Sequence, residues 1–147
     1  MNNPVTTLLN AVLASIHELV PIETGKPRLV DSPIVQTDHG VLIGIIGSLR
    51  GRLIIMGETQ VFLKAGYAMY SMELPEEMVD SFVGEFGNSV AGHMATRLYN
   101  EGLLIDITPP TTMQGYVKLG GFSKAIQVPF RLNEGAIGQL VLAMEEN

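Results

Sequence analysis

The chain has 147 residues, of which 46% are hydrophobic, and its formal net charge is −6. This length and apolar content predict one domain, spanning residues 1–147, with a single continuous core. Fifteen acidic residues against nine basic ones, with no run of Lys or Arg, argue against binding to the phosphate backbone of nucleic acids.

The predicted elements begin with a helix and continue with strands. Pro4 suits a helix start, and apolar residues recur at helical spacing from Val5 to Val20. Three strands are predicted next, with the polar triplet Asp38-His39-Gly40 as a turn between the first two: Arg28 to Gln36, Val41 to Ser48, and Arg52 to Met56. A short second helix is predicted from Val61 to about Met72.

The second half of the chain predicts one long helix followed by further strands. Pro75-Glu76-Glu77 signals its start, because proline suits the first turn and carboxylates complement the positive end of the helix dipole. The helix extends to Asn100. Leu103 to Thr108 alternates like a strand, and Pro109-Pro110 ends it before a predicted loop through Gly115 to Gly121. Two last strands, joined by a hairpin at Leu132-Asn133-Glu134-Gly135, are predicted at Ala125 to Arg131 and Ala136 to Met144.

About six strands and three helices in this order predict an α+β fold, with an antiparallel sheet and helices packed on one face. Regular alternation of strands and helices is missing. The glycines from Gly44 to Gly51 lie in a predicted hairpin rather than before a helix. The sequence therefore argues against a doubly wound nucleotide-binding fold.

One polar face of the long helix carries the candidate site. Successive helical residues rotate by about 100°, so the residues within roughly 60° of Glu85 can be assigned by arithmetic: Asn88, Ser89, Gly92 and Thr96. Each glycine in a helix costs about 1 kcal/mol relative to alanine, and at Gly92 the missing side chain would let a partner approach closely. The pattern alone also fits an ordinary solvated face.

The run Gly84-Glu85-Phe86-Gly87-Asn88-Ser89-Val90-Ala91-Gly92 resembles the Glu-x-x-Asn helix of the CheC, CheX and FliY family of chemotaxis phosphatases, and the CheX branch fits best. The likeness covers essentially the whole chain, including three further segments: Gly25-Lys26-Pro27, Ile107 to Thr111, and Val128-Pro129-Phe130. Only one copy of the motif is visible, which resembles single-site CheX rather than two-site CheC.

The resemblance implies a CheC/CheX-like fold and a phosphatase that acts on the aspartyl phosphate of a CheY-like response regulator. By the same resemblance, Asn88 orients the hydrolytic water and Glu85 engages a lysine near the regulator's active site. Ser89, Gly92 and Thr96 are then partner-binding residues. The resemblance also implies a homodimer through sheet edges, no cofactor of the chain's own, and a divalent metal (Mg) on the phosphorylated partner.

Two alternatives to the phosphatase remain open. One is a non-enzymatic adaptor of the same fold that binds a response regulator without hydrolysis. The other is an unrelated structural module whose motif match is accidental. His93-Met94 departs from the family pattern, so His93 could touch the regulator, although a histidine hydrogen-bonded within its own fold is the more common case.

The remaining sequence features bound location and metal content. The chain has no cysteine, and His17, His39 and His93 show no metal-ligand spacing, so we expect no metal site of its own. The first residues lack the basic region of a secretory signal, and the apolar runs are shorter than the roughly 20 residues that cross a bilayer. We therefore expect a cytoplasmic protein without a membrane span.

Overall fold

Three α-helices pack on one face of an antiparallel sheet. A computed structural model describes residues 3–31, 34–132 and 135–145. The helices are α1 (Pro4–Leu19), α2 (Thr59–Tyr70) and α3 (Val79–Asn100), with a 3-10 turn at Glu76–Met78. The described residues form eight strands: β1 (Ile22–Thr24), β2 (Arg28–Val30), β3 (Ile34–Gly47), β4 (Gly51–Gly57), β5 (Ile105–Ile107), β6 (Thr111–Lys118), β7 (Lys124–Leu132) and β8 (Ala136–Met144).

The sheet is built from long hairpins. Its strand order is β1-β7-β8-β4-β3-β5, with β2 also paired to β7 and β6 also paired to β3. Every pairing is antiparallel. The class predicted from the sequence, an α+β fold with an antiparallel sheet and helices on one face, is confirmed, with eight strands in place of about six.

Both faces of the central strand β4 are buried. Leu53 and Ile55 point into the main core beneath the helices, whereas Ile54 and Met56 point to the other side. There they join a smaller apolar cluster whose other members are Leu119, Ala125, Val141 and Ala143. Burial on both faces explains why this strand is an almost continuous apolar run, as in fully buried strands generally.

The packing of α3 fixes the direction of its polar face. Its apolar residues are buried against the sheet and α1: Phe82, Phe86, Val90, Met94 and Leu98. The rings of Phe82 and Phe86 stack at a centroid distance of 5.8 Å, and Phe62 from α2 meets Phe86 edge-on at 6.4 Å. Because this side of the helix is filled, the opposite side faces solvent.

One turn prediction and one strand prediction near the start of β3 were wrong. Asp38-His39-Gly40 lies inside the continuous strand β3, where a bulge shifts the register between Thr37 and Gly40. The Thr37 hydroxyl donates to the His39 carbonyl oxygen at 2.7 Å and accepts from the Gly57 N–H at 2.9 Å. These hydrogen bonds accommodate a polar segment at the bulge within the strand, so a polar triplet does not by itself indicate a turn. The predicted strand from Arg28 to Gln36 is divided between β2 and β3.

The predicted loop through Gly115 to Gly121 was also wrong in its first part. Strand β6 continues to Lys118 and pairs with β3, and Gly115, at a φ of 94°, lies opposite Thr37 beside the bulge. Gly115 accommodates the bulge rather than ending the strand.

The other differences are smaller. β1 was missed, and α2 begins and ends two residues before the predicted bounds. The long helix predicted from Pro75 begins with the 3-10 turn. β7 and β8 are confirmed, while Asn133 and Glu134 of the predicted hairpin lie outside the described residues.

Candidate functional site

α3 presents Glu85 and Asn88 together on its outer surface. Both side chains are exposed, whereas Phe86 and Gly87 between them are buried. Residues three apart on a helix have their Cβ atoms about 5–6 Å from one another. The two polar groups are therefore held side by side by a helix whose other face is fixed in the core.

Neither Glu85 nor Asn88 has a side-chain partner among the described residues. The side-chain hydrogen bonds and ion pairs of α3 involve other positions: Asp80, His93, Thr96 and Arg97. A carboxylate and a carboxamide without internal partners on a well-packed helix are available to contact another molecule.

The rest of the predicted face is less uniform. Ser89 and Gly92 are partly buried, and Thr96 is exposed. The Thr96 hydroxyl donates to the carbonyl oxygen of Gly92 at 3.1 Å, so this hydroxyl already has a partner within its own helix. A Cβ atom added at Gly92 would meet no atom within 4 Å, which leaves that part of the surface open to a close approach.

The other two glycines of α3 have a packing role instead. A Cβ atom at Gly87 would lie 2.6 Å from Val41 Cγ1, and one at Gly84 would lie 3.3 Å from Thr112 Cγ2. Their absent side chains let the helix lie close to β3 and β6. Close packing against the sheet thus explains why glycine occupies positions 84 and 87 despite its low helix propensity. It does not explain the glycine at position 92.

His93 has a partner within its own fold. Its Nδ1 lies 3.4 Å from Oε2 of Glu18 at the end of α1, and the Arg97 guanidinium donates to the same oxygen at 2.8 Å. The bonds from Arg97 and then His93 hold the pKa of the Glu18 carboxyl below its ordinary value of 4.5. This cluster joins α1 to α3 beside the polar face, and sequence reasoning missed Glu18.

The Glu18 cluster gives a pH-dependent expectation. A carboxyl whose pKa is lowered by folding contributes stability above its unfolded pKa, and that contribution is lost as the pH falls through the folded pKa. In an NMR titration we expect Glu18 to titrate below 4.5, and its pKa to rise in Arg97→Gln. An unchanged Glu18 pKa in that variant would contradict the assigned cause.

A second cluster missed by the sequence ties the first turn of α3 to the sheet. His39 Nδ1 lies 2.9 Å from Oδ1 of Asp80, and the Gln114 amide donates to the same oxygen at 3.2 Å. His39 belongs to the bulged part of β3 and Gln114 to β6. The carboxylate also lies near the positive end of the helix dipole. Together these contacts fix the start of the helix that carries Glu85 and Asn88.

Glu85 and Asn88 are exposed on the outer surface of α3 and are not among the residues that line the groove at the sheet. This groove of about 610 Å³ is lined in part by Asp38, Glu58 and Tyr116. Within the described ranges, no group of three or more His, Asp or Glu side chains is placed to hold a metal ion. No helix there is long and apolar enough to span a bilayer. The exposed position of Glu85 and Asn88 suits a reacting group that another molecule presents to this face.

Comparison with known proteins gives one consistent set of relatives. The sequence profile of the family described as chemotaxis phosphatase CheX matches residues 39–130, which include the whole polar face of α3. The chain is 34% identical over 131 residues to the CheY-P phosphatase CheX of Thermotoga maritima, covering 85% of this chain and 84% of that protein.

Solved structures agree with the sequence comparison. CheX from Borrelia burgdorferi, crystallised as a CheX-CheY-BeF3-Mg²⁺ complex, is 27% identical with a TM-score of 0.78, covering 98% of this chain and 99% of that one. A CheC-like superfamily protein from Shewanella sp. PV-4 is 25% identical with a TM-score of 0.78, covering 99% and 100% of the two chains.

Proposed function

This chain belongs to the CheX family of chemotaxis phosphatases, and from that membership we propose that it removes the phosphoryl group from the aspartyl phosphate of a CheY-like response regulator. The observation that carries the proposal is the pair formed by Glu85 and Asn88. Both are exposed and unpartnered among the described residues, on the Glu-x-x-Asn helix that resembles the family's motif.

Asn88 supplies the element that an aspartyl phosphate lacks for rapid hydrolysis. The acyl phosphate already has a good leaving group, so the slow step is bringing a water molecule in line with the phosphorus. A carboxamide can both donate to and accept from that water. The water oxygen bonds to phosphorus, the bond to the aspartyl oxygen breaks, and the products are inorganic phosphate and a free aspartate.

Glu85 acts as the anchor that sets the docking register. Its exposed carboxylate, one turn before Asn88, pairs with a cationic side chain beside the regulator's phosphorylated aspartate. The attacking water need not lose its proton to Glu85, because the departing aspartate and the phosphate oxygens can take it. The two residues thus divide binding from water orientation.

The metal in this proposal belongs to the regulator, where a divalent cation such as Mg²⁺ neutralises phosphoryl charge. The Borrelia relative was crystallised with CheY, BeF3 and Mg²⁺ together. We further propose a single-domain cytoplasmic protein that forms a homodimer through sheet edges. Exposed apolar side chains on the edge strands β2 and β6, Leu29 and Tyr116, support that contact.

Timing phosphate loss from a molar excess of metal-bound, phosphorylated regulators tests the proposal against the alternatives. Several turnovers per phosphatase molecule are expected. Stable binding without faster phosphate loss would instead identify a non-enzymatic adaptor. Neither binding nor hydrolysis across a broad panel of regulators would identify an unrelated module.

Replacing Glu85 with alanine should weaken docking more than chemistry. A hydrogen bond to a charged group contributes roughly 1.5–3 kcal/mol, so we expect KM for the phosphorylated regulator to rise at least about tenfold. The kcat should fall much less. Glu101→Ala is the matched control, because Glu101 is an exposed carboxylate beyond the end of α3 and its loss should leave KM unchanged. An unaltered KM in Glu85→Ala would contradict the anchor role.

A further inference from the structure

A group of large apolar side chains is exposed beside the start of α3. Tyr67, Tyr70, Met72 and Met78 are 59%, 44%, 63% and 53% exposed, and we call them the apolar patch. They come from the end of α2 and from the segment that leads into α3. Contiguous apolar surface that is surrounded by polar residues is a common feature of interaction sites.

The apolar patch borders the Glu85 end of the polar face. The ring of Tyr70 packs edge-on against Phe82 at a centroid distance of 6.0 Å, and Phe82 lies just under one turn before Glu85. Met78 precedes Glu85 by seven residues, which corresponds to about 10 Å along a helix. A molecule docked on Glu85 and Asn88 would therefore extend over the patch.

The segment that carries the patch has a defined shape. Ser71, between Tyr70 and Met72, caps α2 in the left-handed conformation with a φ of 59°, which non-glycine residues rarely adopt. A cleft of about 350 Å³ adjoins this segment and is lined by Gln60, Leu63, Lys64, Tyr67, Glu73 and Leu74. This cleft is large enough to receive a side chain from a docked protein.

The surroundings of the patch are acidic. Between Lys64 and Arg97 the sequence contains no Lys or Arg and has five carboxylates: Glu73, Glu76, Glu77, Asp80 and Glu85. All five are exposed. Among the described residues, only Asp80 of this group has an ion-pair partner. The polar rim is therefore predominantly acidic, although Lys64 lines the adjoining cleft.

We propose that the apolar patch is the affinity-determining part of the surface that binds the response regulator. This inference rests on the proposed function and specifies the partner surface: an apolar area with basic side chains around it, next to the phosphorylated aspartate. Tyr and Met are enriched in the cores of protein interfaces, and an opposite-charge rim steers the encounter. In this arrangement the patch adds affinity, Glu85 sets the docking register, and Asn88 is positioned for the chemistry.

A second copy of this chain is the less suitable occupant. In a twofold contact the same patch lies on both sides of the interface. The carboxylates of Glu73, Glu76 and Glu77 would then face their own copies, and Lys64 in the adjoining cleft would offset only part of that negative charge. Like charges brought together in this way oppose association, whereas a basic partner removes the conflict.

The test uses the double variant Tyr67→Ser/Met72→Ser. Both side chains are largely exposed, so the fold should be retained. We expect KM for a phosphorylated CheY-like regulator to rise at least tenfold while kcat stays within twofold of wild type. The Kd of the double variant for a receiver domain carrying beryllofluoride and Mg²⁺, measured by calorimetry, should rise by the same factor. For the wild type, the Kd should increase with salt concentration. Leu104→Ser/Ile137→Ser, two exposed apolar residues elsewhere, is the matched control and should change neither constant.

The remaining outcomes distinguish a failure of the patch proposal from a failure of the proposed function. Unchanged KM and Kd in Tyr67→Ser/Met72→Ser overturn the patch while the proposed function stands. If the wild type sediments as a dimer and the double variant as a monomer, the patch is a contact between two copies of this chain and the patch proposal is overturned. If wild type binds the receiver domain without hydrolysis and the variant loses that binding, the patch stands and the phosphatase proposal fails. Absence of binding by wild type across the panel overturns both.

Discussion

Replacing Asn88 with alanine should lower the accelerated rate of regulator dephosphorylation by roughly 100-fold or more. Loss of the carboxamide leaves the attacking water unoriented, and misplacement of a reacting group by about 1 Å already costs about 100-fold. The measurement is phosphate release from a phosphorylated regulator in the presence of Mg²⁺. Full activity of Asn88→Ala would exclude Asn88 from the reaction.

Two controls separate an effect on chemistry from an effect on folding. Asn88 is exposed and makes no side-chain hydrogen bond among the described residues. The free energy of unfolding of Asn88→Ala should therefore lie within a few tenths of a kcal/mol of the wild-type value. Asn88→Gln retains the amide on a longer arm, and we expect a rate between those of wild type and Asn88→Ala. A large loss of stability in either variant would show that Asn88 has a structural role.

Replacing Gly87 with valine should cause a large loss of stability. The first added carbon would lie 2.6 Å and 2.8 Å from the two methyl groups of Val41, which is 1% exposed in the core. Overpacking of this kind typically costs 1–3 kcal/mol, and a β-branched residue adds further contacts, so we expect about 3 kcal/mol. The measurement is the urea midpoint, converted with the slope of the transition.

Gly92→Ala is the matched substitution in the same helix. An added Cβ meets no atom within 4 Å, so the higher helix propensity of alanine should raise the free energy of unfolding by up to about 1 kcal/mol. Opposite signs for Gly87→Val and Gly92→Ala are expected. A stable Gly87→Val protein would contradict the close approach of α3 to β3.

The long helix and its polar face could be predicted because their causes are local. Carboxylates at the start, apolar residues at a 3.6-residue period and polar residues on the other side are all adjacent in the chain. Glu85 and Asn88 were placed on one exposed face by that periodicity, and the structure places them there. Their roles came from resemblance, since the pattern alone also fits a solvated face.

The clusters that hold the helix could not be predicted because their members are far apart in sequence. Glu18 and Arg97 are separated by 79 positions, and His39 and Asp80 by 41. No local pattern pairs such residues, because only the docking of α1 and β3 against α3 brings them together. The bulge in β3 was missed for a related reason, since it depends on pairing with β6 across the sheet.

The glycines of α3 show the same limit. The sequence alone does not distinguish Gly84, Gly87 and Gly92, because each glycine lowers helix stability by the same amount. The structure divides them into two groups, because Gly84 and Gly87 lie against the sheet and Gly92 lies on the open side. Only the positions of Val41 and Thr112 distinguish a packing glycine from one that leaves room for a partner.

The central claim is that Glu85 binds the regulator while Asn88 orients the water, and a single-turnover experiment with saturating enzyme tests it most directly. Phosphate loss from a fixed amount of phosphorylated, Mg²⁺-bound regulator would be timed with increasing excess of wild type, Glu85→Ala and Asn88→Ala. At saturation the rate with Glu85→Ala should approach that of wild type, and the rate with Asn88→Ala should stay about 100-fold lower. Recovery of the wild-type rate by saturating Asn88→Ala would contradict the account.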